Sequence, residues 1–350
     1  MDFSLFYFAD DATEGRDESG SDRYRLLLDG ARFADRHGFR AVWTPERHFG
    51  PFGGAYPNPA VTGAAIAAVT ERVEIRAGSV VAPLHDAARI AEDWSIVDNL
   101  SGGRAGIAFA SGWHAADFAL RPAAYPDRRR LVAEQVEAVR RLWQLDTVEL
   151  TDGTGDPVRL RVYPAPVRSE LPMWLSSSGS PETFRTAADL GVGVLTTMLG
   201  HDVDALRTKI EDYRARFAAR HGGRGHVVLM LHTFLGADTD EVREIVRAPF
   251  TDYLRSSAAQ ILRGAADVLP EAELSAEDVD FLVERAFDGY FENVGLFGTV
   301  ADGIAALSRL APAGFDEVAC LIDFVPDVEA VLKGLEYLDE LRAFWPRGSR

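Results

Sequence analysis

Eight short apolar, β-prone runs recur along the chain, and longer stretches with helical periodicity separate them. The runs are Phe3–Ala9, Ala41–Thr44, Val73–Val81, Ala105–Ala110, Met173–Ser176, Gly193–Thr197, Val227–Leu235 and Glu317–Ile322. This alternation constrains the fold more than any other feature, because a β-run followed by an amphipathic helix is the unit of a parallel sheet with crossover helices. The helical stretches include Asp22–His37, Asn58–Thr70, Ala87–Leu100, Arg129–Trp143, Pro181–Leu190 and Asp204–His221. Ser180-Pro181-Glu182 supplies a cap and then a proline at the first helical position. Eight such units without a linker predict an α/β fold of the (β/α)8 TIM-barrel class, one domain over 1–345 with 346–350 as a tail. Two doubly wound domains would need a linker and a GxGxxG after the first strand, and the sequence has neither. At 350 residues, 47% of them hydrophobic, the chain can bury one large core.

One interval departs from the pattern. From 237 to 299 the sequence is helical in period with no strand, which predicts an inserted helical segment before the last strand, at the face where barrel active sites lie. Its stretch Phe287–Gly298 mixes glycine with aromatics and suits a lid over a substrate; a purely structural decoration is the alternative.

Composition narrows the partners. A single cysteine, Cys320, excludes an intrachain disulfide and predicts a reducing, cytoplasmic location. The N-terminal residues lack a secretory signal, and no apolar run approaches the roughly 20 residues that span a bilayer. A net charge of −17 disfavours nucleic acid and anionic membranes, although Arg128-Arg129-Arg130 could hold one phosphate.

In a barrel the carboxyl ends of the strands converge on one site. Those ends carry Glu46-Arg47-His48, Gly78-Ser79, Ser111-Gly112-Trp113-His114, the run Ser176–Ser180, Thr196-Thr197, His232-Thr233 and Asp323. The loop from Ser176 to Thr183 runs Ser/Gly-rich into a helix start, offering N–H groups and a dipole to a phosphate. Ordinary capping by Ser180 would account for it equally well. His48 beside Glu46 and Arg47 reads as an active group, and the Gly/Pro-rich Gly50–Pro59 as a stiff rim. His114 reads as a site or a surface residue, and His232 faces in or out according to strand parity. No His/Cys/Asp/Glu spacing suits a metal.

Five segments resemble the bacterial luciferase-like flavin-dependent monooxygenases, in the branch found in natural-product biosynthesis. They are FRAVWTPERHF (Phe39–Phe49), AEDWSIVDNLSGGRAGIAFASGW (Ala91–Trp113), RRLW (Arg140–Trp143), PMWLSSSGSPETFRTAADLGVGVLT (Pro172–Thr196) and ACLIDF (Ala319–Phe324). The resemblance implies a barrel that binds reduced FMN, supplied by a separate NAD(P)H-dependent reductase. O2 would add to the flavin, and the resulting peroxide would pass one oxygen to an organic substrate, free or tethered to a carrier protein. It further implies that Ser178, Gly179 and Ser180 hold the FMN phosphate, with Arg129 as counter-charge. Gly78-Ser79, at the family's frequent non-prolyl cis peptide, would lie beside the flavin ring. Ser111, Trp113, Ser176 and Thr196 complete the expected cofactor contacts, and His48, Glu46, Arg47 and His114 the expected catalytic set. In that set His48 faces the flavin and Arg47 points away. A homodimer through Asn58–Thr70 and Ala87–Leu100 is expected too. The luciferase base falls on Arg47, which cannot act as a base, and its reactive cysteine on Ala110, so light emission and aldehyde oxidation are not implied. The alternatives are an F420-dependent oxidoreductase of the same superfamily and a flavin-binding barrel without catalysis.

Overall fold

The computed structural model describes residues 1–8, 23–50, 54–198, 202–265 and 276–345, with side chains outside 256–281. Ala9 and the tail 346–350 lie outside the described residues. Eight parallel strands close into a ring: β1 (Asp2–Phe6), β2 (Ala41–Thr44), β3 (Glu74–Val81), β4 (Ala105–Ala110), β7 (Met173–Ser177), β8 (Gly193–Thr197), β9 (Val227–Leu235) and β11 (Glu317–Leu321). β9 pairs with both β8 and β11, which shuts the barrel. The TIM-barrel expectation holds.

Local chemistry sets the helices around this ring. In α2 (Pro59–Ala67) the Asn58 side chain accepts from the N–H groups of Ala60 and Val61, with Pro59 at the first position. Asp86 caps α3 (Ala87–Ser101) by accepting from Ala88 N–H, and Gly102 ends it at φ 69°. Helix α1 (Arg25–His37) closes against α10 (Val328–Phe344), while α4 (Arg128–Trp143), α5 (Pro181–Leu190) and α6 (Val203–His221) cover the β4–β9 side.

The barrel floor is polar and fully bonded. Arg76 is buried between the rings of Trp43 (4.8 Å) and Trp174 (4.5 Å). Its guanidinium donates to both Glu317 oxygens at 3.0 Å and to Glu74 at 2.7 Å. Burial opposes the charge of Glu317, but Arg76, His226 and the Ser4 hydroxyl outweigh it and hold the carboxyl below its ordinary value. Around this layer pack Phe6, Ala41, Trp43, Ala108, Trp174, Leu195, Val228 and Ala319. The barrel is therefore plugged from below, and open space remains at the carboxyl ends of its strands.

Two features were not expected. The interval 237–299, read as strandless, contains α7 (Thr239–Ala265), α8 (Ala276–Asn293) and a short strand β10 (Leu296–Gly298) before α9 (Val300–Leu310). β9 outruns its ring partners, leaving Thr233–Leu235 without barrel neighbours, and β10 supplies them in parallel register. Unpaired ladder groups demand such a partner. Three residues are too few to show a period. The second feature is a hairpin, β5 (Val148–Thr151) with β6 (Pro157–Leu160), between α4 and β7. Its turn is fixed by the Asp152 carboxylate, which accepts from the N–H groups of Thr154 and Asp156.

Candidate active site

A cavity of about 410 Å³ opens at the carboxyl ends of the barrel strands. Its floor is Phe6, Leu195, Met230 and Leu321, the inward side chains of four strands. Its rim takes Glu46 and Arg47 from the end of β2, Ser111 to Trp113 from the end of β4, and Ser176 to Ser178 from the end of β7. Helix α7 adds Tyr253 from above. The volume suits a small-molecule site.

Glu46 organises the β2 edge. Its carboxylate is 3% exposed and accepts three hydrogen bonds: His48 Nε2 at 2.8 Å, His85 Nε2 at 2.5 Å, and Val81 N–H at 2.7 Å. Burial opposes its ionisation, yet the bonds from His48, His85 and Val81 prevail and keep it below the usual carboxylate value. Burial likewise disfavours the charged form of His85. The bond to Glu46 and the charges of Glu46 and Asp93 overcome that, and the imidazole is raised.

Strand parity then separates the next two residues. Arg47 lies on the cavity wall with its guanidinium 5.2 Å from the Trp113 ring centroid. His48 is not a wall residue; its ring turns back onto Glu46. The expectation that His48 faces the ligand while Arg47 points away is thus reversed in this geometry, although the Glu46–His48 bond itself is present.

Beside that edge, Ser79 of β3 and Ser176 of β7 share a hydrogen bond through their hydroxyls. The Gly78–Ser79 peptide is cis, at the expected position. Gly78 admits no side chain: a Cβ would stand 2.5 Å from Phe6 Cε2 and 3.2 Å from Trp43 Cε3. Ser176, Ser177 and Ser178 line the cavity, and the chain then enters α5 through Gly179 (φ 105°) and Ser180. Ser180 caps α5 by backbone position alone, making no side-chain cap bond. Gly179 and Ser180 stand just behind the wall, their residues absent from it.

The other expected residues divide. Ser111 and Trp113 are on the wall, the latter 51% exposed. His114 stays off it and bonds Asp117 at 3.0 Å, while Asp117 is on it. Thr196 is fully buried and faces away, and its neighbour Thr197 lines the cavity. Arg129 is exposed and away from the wall. Arg128 instead reaches the rim, donating to the Gly112 carbonyl at 3.2 Å and stacking on Tyr125 at 4.1 Å.

The least legible part of the site is aromatic. His232 points inward from β9, 2% exposed, and the rings of Phe8, Phe250, Tyr253, Tyr290 and Phe324 surround it at 4.5–5.7 Å. Burial drops its pKa to about 3, so the imidazole is neutral. Nδ1 bonds the Tyr290 hydroxyl at 3.0 Å, while Nε2 is buried without a hydrogen-bond partner among the described residues. An unmade bond of this kind costs about 1–3 kcal/mol.

Comparison with known proteins gives the arrangement a context. A family model described as luciferase-like monooxygenase matches residues 1–316. The oxygenase component of a flavin-dependent trigonelline monooxygenase from Acinetobacter baylyi is 25% identical over 336 residues, covering 92% of this chain and 89% of that protein. An FMNH2-dependent dimethylsulfone monooxygenase from Pseudomonas fluorescens is 26% identical over 339 residues, covering 90% and 86%. Among solved structures, the monooxygenase RslO1 from Streptomyces bottropensis superposes with a TM-score of 0.77 at 22% identity, covering 97% of this chain and 98% of that one.

Proposed function

Because this chain belongs to the luciferase-like monooxygenase family and is an enzyme of that flavin-dependent class, we propose that it is the oxygenase of a two-component system working on FMNH2. A separate NAD(P)H-dependent reductase supplies the reduced flavin. The substrate is an organic metabolite, free or carrier-tethered, in a secondary-metabolite pathway. Bound reduced FMN would provide the electrons that split O2, one oxygen atom entering the substrate and the other leaving as water.

The observation that carries this reading is a cavity whose wall joins Ser176–Ser178, just before the start of α5, to an apolar floor. The N-terminal turn of α5, with Ser178, Gly179 and Ser180 before it, suits the FMN phosphate. Gly78-Ser79 and Ser176 would border the ring system, with Phe6 beneath. Arg128 is better set than Arg129 to add positive charge at the rim, since its head already lies at Gly112. Arg47 and Trp113 would hold the substrate side, and the aromatic wall from α7 and α8 would keep water out. Glu46, with its two imidazoles, would fix the β2 edge and hold a proton there. A homodimer through α2 and α3 is part of the proposal, supported by exposed Val61, Ile96 and Leu100.

The test couples the full chain to an NADH:FMN reductase under 18O2 with a panel of aromatic ketones and phenols. Incorporation of one labelled atom into a product that depends on the chain supports the reading. Hydride transfer to or from F420, with no oxygen incorporation, would replace it.

A further inference from the structure

The Nε2 atom of His232, a residue that lines the cavity, is a buried polar group with no partner among the described residues. Its tautomer follows from its other nitrogen. The Tyr290 hydroxyl, pushed well above its ordinary pKa by burial, keeps its proton. Among the described residues, His232 is the hydrogen-bond partner of that hydroxyl, which lies 3.0 Å from Nδ1. The hydroxyl also stands 3.5 Å from the backbone N–H of residue 232, which can only donate. If Nδ1 carried the ring proton, the Tyr290 proton would face donors alone. The hydroxyl therefore donates to Nδ1, and the ring proton sits on Nε2.

We propose that the Nε2–H of His232 is a fixed, neutral donor that anchors the carbonyl or phenol oxygen of a flat aromatic substrate. The inference rests on the flavin reading above, and it narrows the substrate. Around the ring β9 stands directly opposite β3, with β11, β1 and β2 between them on one side and β4, β7 and β8 on the other. A flavin bordered by Gly78-Ser79 leaves the β9 side of the cavity to the substrate. The surroundings of His232 there are the rings of Phe8 and Tyr253, with Met230 and Leu321 below. Such walls take a flat apolar body. The fixed Nε2–H of His232 among them takes one oxygen. An imidazole that stays uncharged, its pKa lowered to about 3 by burial, offers no counter-charge to a carboxylate or phosphate. His232 itself thus favours a neutral acceptor, with the Arg47 guanidinium left to the β2 rim.

The experiment uses the full chain loaded with oxidised FMN and labelled with 15N-histidine. Its probes are 1-tetralone and tetralin, the same bicyclic frame with and without a carbonyl. The expected NMR result is an Nε2–H tautomer for His232 from pH 5 to pH 9. Its ring signals should move on adding tetralone and stay put with tetralin. By calorimetry tetralone should bind roughly five- to tenfold more tightly than tetralin, the share of one neutral hydrogen bond. His232→Phe should erase that preference, while His232→Asn, which retains a donor, should keep part of it. An Nδ1–H tautomer, protonation within that pH range, or equal affinities for the two probes in the native protein would overturn the proposal. The tautomer is read in native protein, so misfolding of a variant does not blunt the test. Failure of FMN to bind would instead sink the flavin reading, and the tautomer and probe arms can still be read without cofactor.

Discussion

Replacing Glu46 by Gln tests whether the β2 edge is held by a charge. The amide matches the carboxylate in shape, but it accepts through one oxygen and presents an NH2 where the second oxygen was. In the native chain three donors converge on that carboxylate, from His48, His85 and the backbone of Val81. Hydrogen bonds to a charged group contribute about 1.5–3 kcal/mol each, against about 1 kcal/mol for neutral ones. One of the three donors would also meet the new NH2. Discounting His85, whose side chain is 31% exposed, the expected loss at pH 6 is about 2–4 kcal/mol of unfolding free energy. The loss should depend on pH in a definite direction. Glu46 is depressed in the folded chain, so its contribution is present above the ordinary carboxylate value and fades only as pH falls through the folded one. His85 is raised, so its contribution is complete below the ordinary imidazole value and is lost as pH rises through the raised one. Asp93 supports that charge and Arg121 opposes it. Urea unfolding of both proteins at pH 6 and pH 9 reads the difference. The native advantage should be larger at pH 6 by about 1 kcal/mol. A loss below about 0.5 kcal/mol at pH 6, the size of an ordinary surface substitution, or an identical loss at both values, would refute the argument.

Arg76→Met should destabilise the chain by about 3–5 kcal/mol, because Glu317 is left as a buried charge without its main partner; adding Glu317→Gln to it should recover part of the loss in the same urea assay, and a loss that grows would contradict this. Gly78→Ala should cost about 1–3 kcal/mol by driving a methyl into Phe6, and a neutral result in thermal unfolding would mean that the Phe6–Trp43 packing is looser than described. Arg47→Met should weaken substrate binding with flavin affinity retained, and His48→Gln, keeping a donor toward Glu46, should leave both within about threefold; a larger substrate effect from His48 than from Arg47 would restore His48 to the cavity.

How much of this could be read from the sequence followed from physical range. All eight barrel strands were legible, because each is an apolar run between helices whose faces repeat every three to four residues. Cap chemistry at Ser180-Pro181 marked the start of α5 in the sequence, whereas the side-chain caps at Asn58 and Asp86 emerged only in the structure. The hairpin β5–β6 escaped because its alternating, half-exposed residues have no apolar run to mark them. Parity limited the site. At the end of β2 a shift of one residue exchanges Arg47 for His48 on the wall, and in the uniformly apolar β9 nothing local tells whether His232 faces in or out. The same uncertainty separates Thr196 from Thr197. Tyr253 and Tyr290 come from the inserted helices, whose packing over the barrel mouth is a long-range contact that no local pattern encodes. The inserted interval does reach the site, through the ring of Tyr253.

The claim at the centre of this account is that the cavity at the strand ends binds a flavin through its phosphate at the entrance to α5. Anaerobic calorimetry of the full chain with FMNH2, reduced riboflavin and reduced F420 measures it directly. FMNH2 should bind at least tenfold more tightly than reduced riboflavin, the least expected from a charge-assisted phosphate contact, and more tightly than F420. Equal affinities for FMNH2 and riboflavin, or a preference for F420, would contradict it.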